Sequence, residues 1–246
     1  MNAAATSYEV QGRTVTLPLT IARATSGVGV FTANARRVAE RLPPELAPVR
    51  LPTGRALVVL MLVEYVDNPL GDYDEGVVGF AARPTAEGNR TGGLKALLRG
   101  RVGMWVEHMP VSQAFTREAG ETIWGYPKTL DALEITRDGD RAALTWDTDG
   151  ERVLRLDIRA GGRRDAPSVP GTTYTVKGGV VHRTALVTRA SGVRAGLRGA
   201  RVELGAHETG RRLAALDLSE RAIASAWIER ASMEFGAAVP LGRQSS

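Results

Sequence analysis

Alternation of apolar and polar residues dominates the first third of the chain. From Val15 onward, Val15, Leu17, Leu19 and Ile21 recur at every second position, which predicts a half-buried strand within the strand-like stretch from Tyr8 to Ala22. Arg13 stands just before that strand. Thr32 or Asn34 is placed to cap a short helix through Leu42, and Pro43-Pro44 stops it. Ala56 to Val66 is apolar apart from Glu64 and rich in β-branched residues, the pattern of a central strand buried on both faces. Asp67 to Asp72 carries the Asn, Pro and Gly of a turn, and Tyr73 to Ala82 completes a hairpin. Beyond a polar loop from Glu87 to Gly93 and at most one helical turn from Leu94 to Leu98, Val102 to Val106 is another apolar strand. Pro110 and Val111 begin a longer connection.

The second half is more broken. Leu133 to Ile135, Ala142 to Trp146 and Val153 to Ile158 form short strands, joined by Asp138-Gly139 and Asp149-Gly150 turns into a meander. Gly161 to Gly171 reads as an exposed loop, and Tyr174 to Val181 and Thr184 to Thr188 as strands. Ser219 is placed to cap a helix from Glu220 to about Ala226, while Trp227 to Val239 fits either a helix or one face of a strand. About ten short strands against two or three short helices predict a mainly β fold, antiparallel and closed into a barrel that removes its edges. The length is ordinary for one domain, so residues 1–246 are expected to form a single unit.

Composition narrows the function. A hydrophobic share of 43% and a charged share of 24% are those of a globular chain. The net charge of +5 comes from scattered arginines with no run longer than a pair, and aromatics make up only 5%, which argues against a nucleic-acid surface. Without cysteine there is no disulfide, thiolate metal site or cysteine nucleophile. His108, His182 and His207 lie far apart without metal-ligand spacing. The N-terminus lacks a basic region followed by an apolar core, and no stretch approaches the roughly 18 apolar residues of a membrane span, so a cytoplasmic protein with no membrane partner is expected.

Candidate chemistry centres on Glu121 to Leu130, Glu-Thr-Ile-Trp-Gly-Tyr-Pro-Lys-Thr-Leu. Of 32 basic residues only Lys95, Lys128 and Lys177 are lysines, and Lys128 sits among apolar and aromatic neighbours. Arginine stays protonated, whereas a lysine can be made nucleophilic. Pro127 fixes its own φ and biases Tyr126 towards extended geometry, so Tyr126 to Leu130 reads as a rigid strand start. An amine with an ordinary pKa of about 10.4 is almost entirely protonated at neutral pH, and forming an imine readily requires lowering it by about 3. Burial supplies shifts of that size, with Ile123, Trp124, Tyr126 and Leu130 available as a dry wall. A protonated imine is an electron sink for decarboxylation, retro-aldol cleavage or dehydration.

Gly-Tyr-Pro-Lys-Thr-Leu, with Glu121 ahead of it, resembles the active-site segment of the acetoacetate decarboxylase-like family, in which the lysine after Tyr-Pro forms the Schiff base. The resemblance extends over nearly the full length. It implies that Arg13 binds a substrate carboxylate, that Glu75 faces Lys128, and that Trp124, Tyr126 and Thr129 belong to the substrate pocket. The stretch Leu213 to Ala226 is similar to a late turn of the family that precedes a long strand, which makes Trp227 to Val239 a strand. A cone-shaped β-barrel, a homo-oligomer and catalysis without a metal or cofactor are implied as well. Thr129 occupies the position of a second lysine found in the namesake decarboxylases, and Ala56 to Val63 is apolar where a further pocket glutamate is expected.

The expected function is a Schiff-base-forming lyase acting on a small keto acid, with Lys128 as nucleophile and Glu75 and Arg13 as its partners. Aldol or dehydration chemistry on a 2-oxo acid with the same lysine remains an alternative. A non-catalytic binding member of the fold is another.

Overall fold

A computed structural model of the chain describes residues 6–87 and 102–242. Strands β1 (Thr6–Val10) and β2 (Arg13–Leu17) form a separate hairpin, and β3 (Leu19–Asn34) follows directly. Helix α1 (Ala35–Ala39) starts where Asn34 Oδ1 accepts from the Arg36 and Arg37 amides, as its capping chemistry predicts. Next come β4 (Leu46–Pro48), β5 (Arg55–Val66) and β6 (Tyr73–Pro84), with a short 3-10 turn at Thr85–Glu87. The predicted loop and helical turn between Glu87 and Leu98 lie, beyond Glu87, outside the described residues. The chain continues through β7 (Gly103–Val111), α2 (Ala114–Trp124) and β8 (Lys128–Leu130). The meander is β9 (Ala132–Asp138), β10 (Arg141–Thr148) and β11 (Glu151–Arg159). Last are β12 (Arg164–Lys177), β13 (Val180–Gly196), β14 (Ala200–Leu204), α3 (Glu208–Ala214) and β15 (Ala224–Pro240).

Seven strands close on themselves in the order β6-β5-β3-β15-β13-β12-β7, with β7 returning to β6. The pairs are antiparallel except β12 with β7 and β7 with β8, so the barrel is mixed where alternation alone predicts an antiparallel one. The order β14-β11-β10-β9 forms a second sheet, packed outside the barrel. This arrangement explains the apolar run of β5. Its Val58, Leu60 and Leu62 face Leu144, Leu156 and Trp227 in the core between the two sheets. Its Val63 and Tyr65, with Met61 packed beside them, face a second core inside the barrel. A strand walled on both sides has no polar face to show.

Four expectations fail for local reasons. The connection beginning at Pro110 contains α2, whose buried stripe of Phe115, Ala119 and Ile123 at spacing four is interleaved with Thr116 and Gly120, which dilute the periodicity. Gly161 to Gly171 is mostly strand, since β12 holds its ladder to β13 through two bulges despite Pro167 and Pro170. Tyr174 to Val181 is interrupted by Gly178 and Gly179, both at positive φ (59° and 76°), which turn β12 into β13 as a two-residue hairpin loop. Ser219 caps no helix; its hydroxyl accepts from the Thr32 amide and donates to the Arg221 carbonyl, and the helix lies earlier, at α3. Trp227 to Val239 is strand, within β15. None of the described helices is long and apolar enough to cross a membrane.

Candidate active site

Lys128 begins β8, and the residues before it fix where its amine goes. Helix α2 turns Thr116, Gly120 and Trp124, each four apart, towards a cavity inside the barrel. It ends at Gly125 in the left-handed region (φ 69°), where the Gly125 amide bonds to the Glu121 carbonyl at 3.0 Å and the Tyr126 amide to the Gly120 carbonyl at 3.2 Å. The first is the single bond that closes a left-handed helix stop. A Cβ at 125 would also lie 2.6 Å from the Val176 carbonyl, so both conformation and space demand glycine. The Pro127 carbonyl then accepts from the Met109 amide at 3.1 Å, seating β8 beside β7. Alternation along β8 sends Lys128 inward and Thr129 outward.

Inside, Lys128 Nζ donates to Glu75 Oε2 at 2.7 Å, and both side chains are 5% exposed. Tyr65 Oη donates to the other oxygen, Oε1, at 3.1 Å and stacks on Tyr73 with ring centroids 4.6 Å apart. Nζ lies 5.2 Å from the centre of the Tyr73 ring. The hairpin register supplies this cluster: Tyr65 pairs with Tyr73 across the turn, and Glu75 stands two residues on, on the same face. Burial, and then the Glu75 carboxylate, push the Tyr65 and Tyr73 phenols well above their ordinary range; burial does the same for Tyr126. These phenols stay protonated and can donate. The cavity measures ≈ 110 Å³, and the rest of its wall is largely methionine, leucine and valine.

The structure brings Lys128, Glu75, Trp124 and Tyr126 to one cavity. Trp124 is anchored there by its indole N–H, which donates to the Gly236 carbonyl at 2.8 Å. Arg13 is not among the lining residues. Its guanidinium lies 4.1 Å over the Phe115 ring and donates to the Pro69 carbonyl at 2.8 Å, and Arg13 lines a separate pocket with Leu19 and Pro69. Thr129 does not line the cavity either, because it occupies the outward position of β8. Where a further pocket glutamate is expected, β5 offers Met61 and Val63, and Glu64 points outward to pair with Arg137 at 2.7 Å. The lining residues Thr173 and Met233 are beyond sequence reasoning, since only barrel closure brings their strands to the site. Tyr65 and Tyr73 were missed as well, although their symmetric spacing about the hairpin turn is a local signal.

Behind the lysine lies a polar relay. Thr129 donates to Asp131, which also accepts from Thr148 at 2.9 Å, and His108 Nε2 is 3.1 Å from Thr129 Oγ1. The His108 ring stacks on Trp146 at 5.0 Å. Burial lowers the His108 pKa; Asp131 and Glu107 oppose that shift, and His207 and Arg212 reinforce it. The folded chain therefore favours neutral imidazole, and below about pH 6.5 the unfolded chain binds more protons. Stability is expected to fall as pH is lowered from 7.5 to 5.5, and His108→Gln to flatten that part of the profile, read from urea midpoints. Among the described residues no three His, Asp or Glu side chains gather as a metal site would require.

Comparison with known proteins agrees with this arrangement. The sequence matches the family model for acetoacetate decarboxylase (ADC) over residues 6–240. No curated protein sequence matches significantly. The fold is similar to the crystal structure of acetoacetate decarboxylase from Legionella pneumophila, with a TM-score of 0.65 at 15% identity, covering 90% of this chain and 87% of that one. It is also similar to the enduracididine biosynthesis enzyme MppR complexed with pyruvate, with a TM-score of 0.62 at 15% identity over 94% of this chain and 93% of that one. An acetoacetate decarboxylase-like enzyme from Sphingomonas wittichii RW1 gives 0.56 at 16% identity over 89% and 91%. Identities this low speak to the fold, and the family match carries the assignment. With a mixed barrel closed around a buried lysine and the family's pattern running from Thr6 to Pro240, the chain belongs to the acetoacetate decarboxylase family.

Proposed function

We propose that the protein is a Schiff-base-forming lyase that acts on a small keto acid through Lys128. The observation that carries this reading is the Lys128–Glu75 contact, a lone amine and a lone carboxylate placed 2.7 Å apart in an otherwise mostly apolar cavity. Glu75 takes a proton from the ammonium, and the free amine adds to the keto carbon. The proton returns from Glu75 to the carbinolamine oxygen, water leaves, and a protonated imine remains. The electron pair of the adjacent C–C bond then flows to the imine nitrogen, releasing carbon dioxide and leaving an enamine. Protonation at carbon and hydrolysis return product and lysine. Tyr65 holds the Glu75 carboxylate by its second oxygen, so the first keeps facing the amine. Arg13 takes the substrate carboxylate in this scheme only after leaving the Pro69 carbonyl that it now holds.

The same imine serves aldol or dehydration chemistry on a 2-oxo acid, and the fold's likeness to a protein complexed with pyruvate favours keeping that second reading. Incubation with acetoacetate or pyruvate, borohydride reduction and mass spectrometry of the peptide bearing Lys128 tests the proposal. An adduct on that peptide is expected. Carbon dioxide released from acetoacetate supports decarboxylation, and condensation of pyruvate with aldehydes supports aldol chemistry. Reversible binding that never labels Lys128 would leave a binding protein instead.

A further inference from the structure

Methionine is unevenly placed along the fold. The chain has five, and Met61, Met104, Met109 and Met233 all line the cavity. The core between the two sheets is equally buried and contains none; leucine, isoleucine, valine, alanine, phenylalanine and tryptophan fill it. Within the barrel, β3 and β15 stand furthest round the ring from β7, on which β8 and Lys128 are seated. There two rows run from β13 over β15 to β3, Leu186–Phe235–Leu19 and Thr188–Met233–Ile21, paired residue to residue. All six residues line the cavity, and only Thr188 among them brings a hydroxyl. Elsewhere on the wall the hydroxyls are committed: Tyr65 to Glu75, Tyr73 to Tyr65, Thr116 to the Gln113 carbonyl at 2.9 Å, and Tyr126 and Thr173 to each other.

A space that needed only filling would be closed, in this fold, by the branched and aromatic side chains that close the other core. Methionine has three rotatable bonds and a polarisable sulfur, so it conforms to apolar guests of differing outline. An apolar hollow excludes water and takes apolar matter. A charged or hydroxylated group set against the rows of β3, β15 and β13 would lose its hydration with at most the Thr188 hydroxyl in return. The cavity is therefore divided. The Lys128–Glu75 pair stands on one side, and the side across the barrel favours only the burial of carbon.

We infer that the rows of β3, β15 and β13, with Met61 on the neighbouring β5, seat an alkyl chain carried on the substrate's keto carbon. The inference rests on the imine reading of Lys128 and names its substrate class: a keto acid whose second substituent is an aliphatic tail of several carbons, where acetoacetate has a methyl. The imine carbon stays at Nζ, and the tail reaches away from β8 across the barrel.

A series of methyl ketones from butan-2-one to nonan-2-one presents the same carbonyl on tails that lengthen by one methylene at a time. Each is titrated against the protein with borohydride trapping at Lys128, and reversible binding is followed in parallel by tryptophan fluorescence. Half-saturation is expected at about fourfold lower concentration for each methylene that meets the wall, and to level off once the tail outgrows it. Met233→Ala removes a methylthiomethyl group from the middle of a row and is expected to carry that levelling-off about two carbons further. Ile21→Val opens the same row more gently, by about one carbon, and keeps the test open if Met233→Ala does not fold. Equal half-saturation along the series in the parent protein, or a levelling-off at the parent's length in Ile21→Val and in folded Met233→Ala, overturns the tail seat. Adducts at Lys128 without any dependence on length remove this inference and leave the imine reading standing. A dependence on length in fluorescence without any adduct does the reverse.

Discussion

Replacing Lys128 with methionine is expected to abolish adduct formation entirely and to destabilise the fold by about 3–5 kcal/mol, the cost of leaving a buried charge without its partner. The loss arises because Glu75 is 5% exposed and has, among the described residues, only the Tyr65 hydroxyl as another hydrogen-bond partner. For a chain of this length that corresponds to a fall of roughly 10 °C in the thermal midpoint. Lys128→Met/Glu75→Gln removes both charges, keeps a group for Tyr65 to bond, and is expected to recover most of the stability without recovering any adduct. Thermal melts and borohydride trapping on the three proteins separate the two roles of the pair. A single variant as stable as the parent would show that water reaches Glu75 and that the cavity is not the dry site described.

Gly120→Ala is expected to slow the chemistry more than it weakens the fold. Alanine favours the helical state over glycine by about 1 kcal/mol, so α2 itself gains. Its Cβ, however, would stand 2.6 Å from both Cδ and Cε of Lys128. The flexible lysine stem gives way more easily than the helix, and its amine leaves the position facing Glu75. A misplacement of about 1 Å costs on the order of 100-fold in rate. Trapping with acetoacetate should slow by about that factor, while urea unfolding shows a smaller loss of stability than in Lys128→Met, because the helical gain offsets part of the weakened contact with Glu75. Unchanged trapping would mean that the amine reaches its substrate from more than one rotamer.

The barrel was legible where burial was simple. β5 declares itself because both faces are dry, and the Asp138-Gly139 and Asp149-Gly150 turns bound the meander because few residues other than glycine accept that geometry. α2 was hidden because the same face must both pack and line a cavity, and Thr116 and Gly120 serve the second need at the expense of the first. β12 was hidden because its early residues are largely exposed and carry prolines, and only its ladder with β13 keeps them extended. The site divides in the same way. Lys128 and its frame are local and therefore readable, and Glu75 and Tyr65 follow from a hairpin register. Thr173 depends on ring closure over a parallel seam that pairs only Thr173 with Met104 and Tyr174 with Trp105, for which the sequence carries no local signal.

The left-handed helix stop at Gly125 and the seat of β8 on β7 give Lys128 an address set by main-chain bonds alone. Most walls around it come from elsewhere: β3, β5, β13 and β15 contribute side chains and no bonds to that address. Substitutions at Met61, Leu186, Thr188 or Met233 can therefore recut the cavity while the amine stays where it is. Such a division of labour lets one ancestral scaffold diverge in what it accepts without first reinventing how it reacts.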